Sequence, residues 1–141
     1  MVKFDYFYGG HIGFSDIGFD ATPVDDRVVT NQKLASVFEE TKSIALVMDK
    51  FGFDTLWLSE HHFLAEGYGG IPNIPMISVY LANFTEKLSF GGFFNTVPAW
   101  HPLRLAEDFA VADVITKGRV RFGIGRGYIP REVETLGSPL E

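Results

Sequence analysis

GFDTLWLSEHHF, residues 52–63, decides the fold. It opens on a glycine able to stop a helix in the left-handed conformation. A short apolar run at 54–59 follows and reads as a strand. The run ends in Glu60, His61 and His62. Titratable groups gathered where a strand stops are the arrangement of a βα enzyme, whose active face lies at the C-terminal strand ends. Side chains alternate across a strand. Leu56 and Leu58 therefore share one face, suited to packing under helices. Thr55, Trp57, Ser59 and His61 share the other, suited to an interior that opens on a site.

Upstream, 2–8 is β-branched and aromatic and reads as a first strand, punctuated by Gly9 and Gly10. Residues 10–30 read as a loop, long enough to expect a function for it. Over 31–51 the spacing of Leu34, Val37, Phe38, Ile44, Ala45, Met48 and Phe51 predicts a helix, capped by Thr30 or Asn31 and stopped by Gly52. Downstream, 60–72 is a glycine-rich loop, 74–84 a short helix opened near Pro75, and 88–94 a third strand. A helix over 102–117 starts on Pro102 and stops at Gly118, with Arg104 and Asp108 one turn apart on it. A fourth strand spans 120–125, and a fourth helix begins near Arg131. Strands alternating with helices predict an α/β fold with right-handed crossovers and a parallel sheet in the order 1-2-3-4.

The same alternation assigns the other faces. Ser89, Gly91, Phe93 and Asn95 point inward from the third strand, and Arg121, Gly123 and Gly125 from the fourth. Val120, Phe122 and Ile124 face the helices. Inward glycines leave room for something flat and bulky.

The bulk composition narrows the function. A net charge of −6 argues against a nucleic-acid partner. The absence of cysteine excludes disulfides, thiolate catalysis and cysteine-ligated metals, and permits the reducing cytoplasm where we expect the protein. No basic start precedes a long apolar run, so no signal peptide is expected, and no run is long enough to span a membrane.

Glu60, His61 and His62 support two readings. Adjacent histidines at a strand end point opposite ways and chelate one metal poorly, so no metal is expected, and each could be structural. Three titratable groups together at that end instead suggest acid/base chemistry. GIGRG at 123–127 is similarly open. It follows a strand and precedes a helix, and Arg126 beside backbone N–H groups could hold a phosphate. It lacks the full dinucleotide spacing, and the plainer reading is a tight turn with Arg126 in solvent. His101-Pro102 reads as helix initiation, and Phe90, Phe93, Phe94 and Trp100 as core.

VKFDYF (2–7), GFDTLWLSEHHF (52–63) and PAWHPLRLAEDFAVADVITKGRVRFGIGRGY (98–128) resemble the bacterial luciferase-like flavin monooxygenase superfamily, in its order and nearly its spacing. The likeness is nearest to the luciferase α-subunit branch. It implies a (β/α)₈ barrel of which residues 1–141 are the N-terminal half. It implies reduced FMN bound at the C-terminal face, reacting with O₂ through a C4a-peroxyflavin to oxygenate a small organic substrate. A flavin reductase as FMNH₂ source and homo- or hetero-oligomers go with that reading. By resemblance, His61 is the catalytic acid/base, flanked by Glu60 and His62, which hold the loop. Arg126 binds the flavin phosphate, and Phe93 and Phe94 back the isoalloxazine ring, where the family can carry a cis peptide. Gly125 adjoins the ring, and Glu132 matches an acidic position that influences the flavin site.

Two departures matter. Gly125 stands where luciferases often place a cysteine, which argues against light emission, and Phe93 and Phe94 are bulkier than their luciferase counterparts. Four strands are also half a barrel, so a fragment of a longer chain is expected, or else a split protein or self-associating half. Other readings are a deazaflavin-dependent oxidoreductase of the same superfamily, a non-catalytic flavin-binding or partner-subunit-like protein, and a metal-dependent hydrolase using Glu60, His61 and His62.

Overall fold

The computed structural model describes residues 2–13, 29–63 and 69–138. Most of the long 10–30 loop, the middle of the 60–72 loop and the last three residues lie outside them. The elements are β1 (Asp5–Tyr8), α1 (Asn31–Phe51), β2 (Thr55–Leu58), α2 (Ile74–Ala82), β3 (Ser89–Gly92), β4 (Asn95–Thr96), α3 (Pro102–Thr116), β5 (Val120–Arg121), β6 (Ile124–Gly125) and α4 (Pro130–Thr135). A 3₁₀ turn at Val97–Ala99 joins β4 to α3.

Local signals set the helix ends. Thr30 takes an extended conformation and its hydroxyl accepts the Lys33 N–H at 3.3 Å, satisfying one open donor of α1. Gly52 stops the helix at φ 75°. Val37, Thr41, Ala45 and Met48, spaced by one turn, form the buried face. Asn73 caps α2 through Met76 N–H at 2.8 Å. Pro102 opens α3, which ends on left-handed Lys117 and Gly118.

The strands pair in parallel in the order β1-β2-β3-β5, with β4 and β6 forming a separate parallel pair beyond them. Leu56, Leu58 and Phe90 are fully buried on the helix side with Val37, Ile74, Leu81 and Leu88, as the alternation requires. Removing such side chains from water is the main stabilising contribution.

Two side chains pin the turn between α2 and β3. Asp49 of α1 accepts the backbone N–H groups of Glu86, Lys87 and Leu88 at 3.1, 2.8 and 2.7 Å. Arg119 donates to the carbonyls of Ala82, Thr85, Leu88 and Thr116 and to the Thr85 hydroxyl. Helix-end carbonyls left open by the geometry of α2 and α3 thus find a charged donor.

The third and fourth strands differ from expectation. The run at 88–94 breaks after Gly92 at a cis Phe93–Phe94 peptide and resumes as β4. The 120–125 run breaks at Phe122 and Gly123 into β5 and β6. At the break a Gly123 Cβ would lie 1.9 Å from the Gly92 carbonyl oxygen, so only glycine lets the two backbones meet. Alternation does not carry across such breaks. Phe122 packs on Phe109 of α3 as expected, with ring centroids 4.4 Å apart. Ile124, expected beneath the helices, instead lines the inner face with Phe7, Trp57 and Phe93. Asn95, expected to point inward, is fully buried, and its Nδ2 fills the place of a Gly92 side chain and donates to the Gly123 carbonyl at 2.7 Å.

Candidate functional site

The C-terminal ends of β2, β3 and β6 meet around Phe94. Its carbonyl accepts the backbone N–H of Glu60 at 3.4 Å. Its ring lies where a Gly125 side chain would project, with a Cβ there only 2.8 Å from Phe94 atoms. Phe93 and Phe94 stack at 4.4 Å between centroids. Both are about half exposed, so the sequence reading of these two rings as core is corrected. With Phe7, Trp57, Gly123 and Ile124 they line an open, apolar depression of about 410 Å³.

Beside this floor stands a polar cluster. Glu60 is buried, and its carboxylate takes three partners: His62 Nε2 at 3.0 Å, the Trp100 indole N–H at 2.9 Å and the Thr96 N–H at 3.3 Å. A buried carboxylate needs this many donors to offset its lost hydration. Glu132, on the first turn of α4, is equally buried. Its Oε1 lies 3.0 Å from His61 Nδ1 and accepts the His62 backbone N–H at 2.7 Å. The two imidazoles thus belong to different carboxylates and retain only 16% and 15% side-chain exposure. Among the described residues no three His, Cys, Asp or Glu side chains converge to hold a metal.

Arg126 lies beyond Gly125 at the surface, and among the described residues it makes no hydrogen bond. The next residue, Gly127, has φ 80° and is wedged between Thr96 and Val133, which fixes the path of the loop.

The structure therefore joins Glu60, His61, His62 and Glu132 in one network and sets Phe93, Phe94 and Gly125 against it, with Arg126 at the rim. Sequence reasoning missed Trp100 and Thr96. For Trp100 a signal existed: a partly buried indole N–H needs an acceptor, and a core assignment supplies none.

The sequence profile described as "Luciferase-like monooxygenase" matches residues 18–141. The chain belongs to the luciferase-like monooxygenase family. It is 36% identical over 104 residues to the alkanal monooxygenase alpha chain of Photorhabdus laumondii, covering 74% of this chain and 28% of that one. It is 32% identical over 112 residues to the oxygenase component of the flavin-dependent trigonelline monooxygenase of Acinetobacter baylyi, covering 79% and 30%. The chain thus spans under a third of the length of these relatives. Its fold matches the oxygenating constituent of 3,6-diketocamphane monooxygenase from Pseudomonas putida, solved in complex with FMN. That match has a TM-score of 0.76 and 21% identity, over 99% of this chain and 34% of that one. The fold is accordingly α/β, with the parallel βα units of the TIM-barrel monooxygenases of this family.

Proposed function

We propose that residues 1–141 form the N-terminal half of a flavin-dependent monooxygenase barrel. It would use reduced FMN and O₂ to oxygenate a small organic substrate. The observation that carries this reading is the exposed Phe93–Phe94 pair beside side-chain-less Gly125, hydrogen-bonded to the loop that bears His61.

The residues present fit a flavin. A flat apolar ring suits an open aromatic floor with a glycine at its edge, and a phosphate suits the exposed cation of Arg126. The FMN-bound neighbour and the flavin-dependent relative favour FMN over a deazaflavin. Bound reduced flavin supplies the electrons that activate O₂. Phe93 and Phe94 would back the ring, and Arg126 would hold its phosphate. His61, with Nδ1 engaged by Glu132, would exchange protons with flavin-side or substrate groups through Nε2. Glu60 and His62 would hold the loop in place. The apolar floor would keep water from the ring face that rests on it. A flavin reductase would deliver the cofactor, in the cytoplasm, to a homo- or hetero-oligomer.

The test is an anaerobic titration of the intact gene product with reduced FMN, followed by admission of O₂. Saturable binding and oxygen uptake are expected. Failure to bind reduced FMN, or preference for a deazaflavin, would overturn the proposal.

A further inference from the structure

Resemblance places Glu132 among the residues that influence the flavin. Its contacts point elsewhere. Oε1 meets His61 Nδ1 at 3.0 Å and takes the next backbone N–H, that of His62, at 2.7 Å. Arg131, its neighbour on α4, donates to the Phe63 carbonyl at 3.3 Å. Two consecutive residues of α4 therefore grip three consecutive residues of the loop after β2. Phe63 sits at φ 55°, in the left-handed region that a bulky side chain avoids. Such a conformation persists where its surroundings over-determine it. From the other side, Glu60 holds His62 Nε2, so the backbone and the side chain of His62 are held by different carboxylates.

We propose that the first turn of α4 is a positioning clamp: Glu132 holds the His61 ring with its proton on Nδ1 and its lone pair on Nε2, while Arg131 holds the backbone that carries it. The inference deepens, and rests on, the reading of His61 as the acid/base of the flavin site. The chemistry is direct. An ionised carboxylate accepts hydrogen bonds and donates none, so Nδ1 carries the proton that joins it to Glu132. In the neutral ring Nε2 is then the acceptor, the reverse of the form a free histidine side chain favours. Glu132 acts through His61, as an outer carboxylate orients a histidine in other sites. Glu132 itself would not touch the cofactor, whose phosphate falls to Arg126 and whose ring falls to Phe93 and Phe94 in the proposed function.

Histidine-labelled protein and long-range ¹H–¹⁵N spectra test this without flavin. Neutral His61 in the unmodified protein should be protonated on Nδ1. Glu132→Gln keeps an acceptor and should keep that form. Glu132→Met fills the same space without an acceptor and should move the proton largely to Nε2. In a parallel titration, both variants should bind reduced FMN within about threefold of the unmodified protein, while Arg126→Ala loses about tenfold. An unmodified His61 protonated on Nε2 would overturn the clamp, and so would a Met variant with an unchanged ring. Loss of flavin affinity in both Glu132 variants with His61 unaltered would make Glu132 a cofactor contact instead. If the unmodified protein binds no flavin, the proposed function falls, and the imidazole signals still decide the clamp by themselves.

Discussion

Phe94 gives its carbonyl oxygen to the backbone N–H of Glu60, so the aromatic floor and the histidine loop share a hydrogen bond. A displacement of one is felt by the other. The proposed site is thus a single unit with two jobs, proton transfer at His61 and anion binding at Arg126.

Those jobs should separate by mutation in the intact gene product. His61→Ala is expected to leave reduced-FMN affinity largely intact and to cut substrate oxygenation by about two to four orders of magnitude, the worth of a positioned acid/base. Arg126→Ala is expected to weaken reduced-FMN binding about tenfold or more, through loss of a charged phosphate contact. Flavin titration and single-turnover kinetics check both. The same defect in both variants would contradict this division.

Asp49 gives a pH signature to stability. Partial burial pushes its carboxyl up, but the three N–H groups of Lys87, Glu86 and Leu88, with the charge of Arg119, outweigh that and hold it below the usual carboxylate range. A group depressed in the folded state contributes stability that is fully present above its unfolded pKa, the ordinary aspartate value, and is lost as pH falls through the lower folded value. Asp49→Asn should therefore lower stability by about 1 kcal/mol at neutral pH, a modest effect because solvent screens the group. It should also flatten the acid limb of the unfolding curve. Urea melts between pH 2 and pH 7, on the order of six points, would show it. An acid limb as steep as the unmodified chain's would count against the assignment.

Two glycines should fail differently. Gly123→Ala drives a Cβ into the Gly92 carbonyl, a backbone atom that cannot move aside, and should cost about 2–4 kcal/mol of stability. Gly125→Ala meets Phe94 at its Cβ and Cγ, 2.8 Å away, a milder overlap than the 1.9 Å approach at Gly123 and one at a half-exposed side chain. It should cost less stability and show its effect on flavin binding. Thermal melts and flavin titrations of the pair check the contrast, and equal stability losses would defeat it.

Most of the architecture was legible because it repeats a local rule. The helix at 31–51 was bounded by its own cap and glycine, and the leucine face of β2 by strict alternation. Breaks in β3–β4 and β5–β6 were not legible from pattern, because each depends on a neighbouring backbone. Only the family likeness pointed to a cis peptide near Phe93. The residues of the site were readable as a cluster at a strand end, but their pairing was not. His61 and Glu132 are 71 positions apart, and Glu60 meets Trp100 across 40. Contacts of that separation exist only once the sheet has formed, and the indole N–H of Trp100 called for an acceptor without saying which.

The sheet leaves β1 and β5 at its edges, and the inner side exposes Phe7, Phe93 and Ile124. Unpaired edges and a contiguous apolar face both favour association. The 141-residue chain alone is expected to self-associate and to bind reduced FMN weakly. Sedimentation with a flavin titration measures both. A well-behaved monomer with micromolar or tighter affinity would show instead that these residues are self-sufficient.

The double anchoring of the turn between α2 and β3 also orders events on the ribosome. Chains emerge N-terminus first. Asp49 is in place when residues 86–88 appear, so it can dock them at once. The carbonyls of Ala82, Thr85 and Leu88 must wait for Arg119, made after the whole of α3. Until then the end of α2 is water-facing backbone, an easy substrate for a protease. Nascent chains stalled just before and just after Arg119 has cleared the tunnel should therefore differ sharply in cleavage near residue 84, and equal cleavage would mean that the earlier aspartate alone closes the turn.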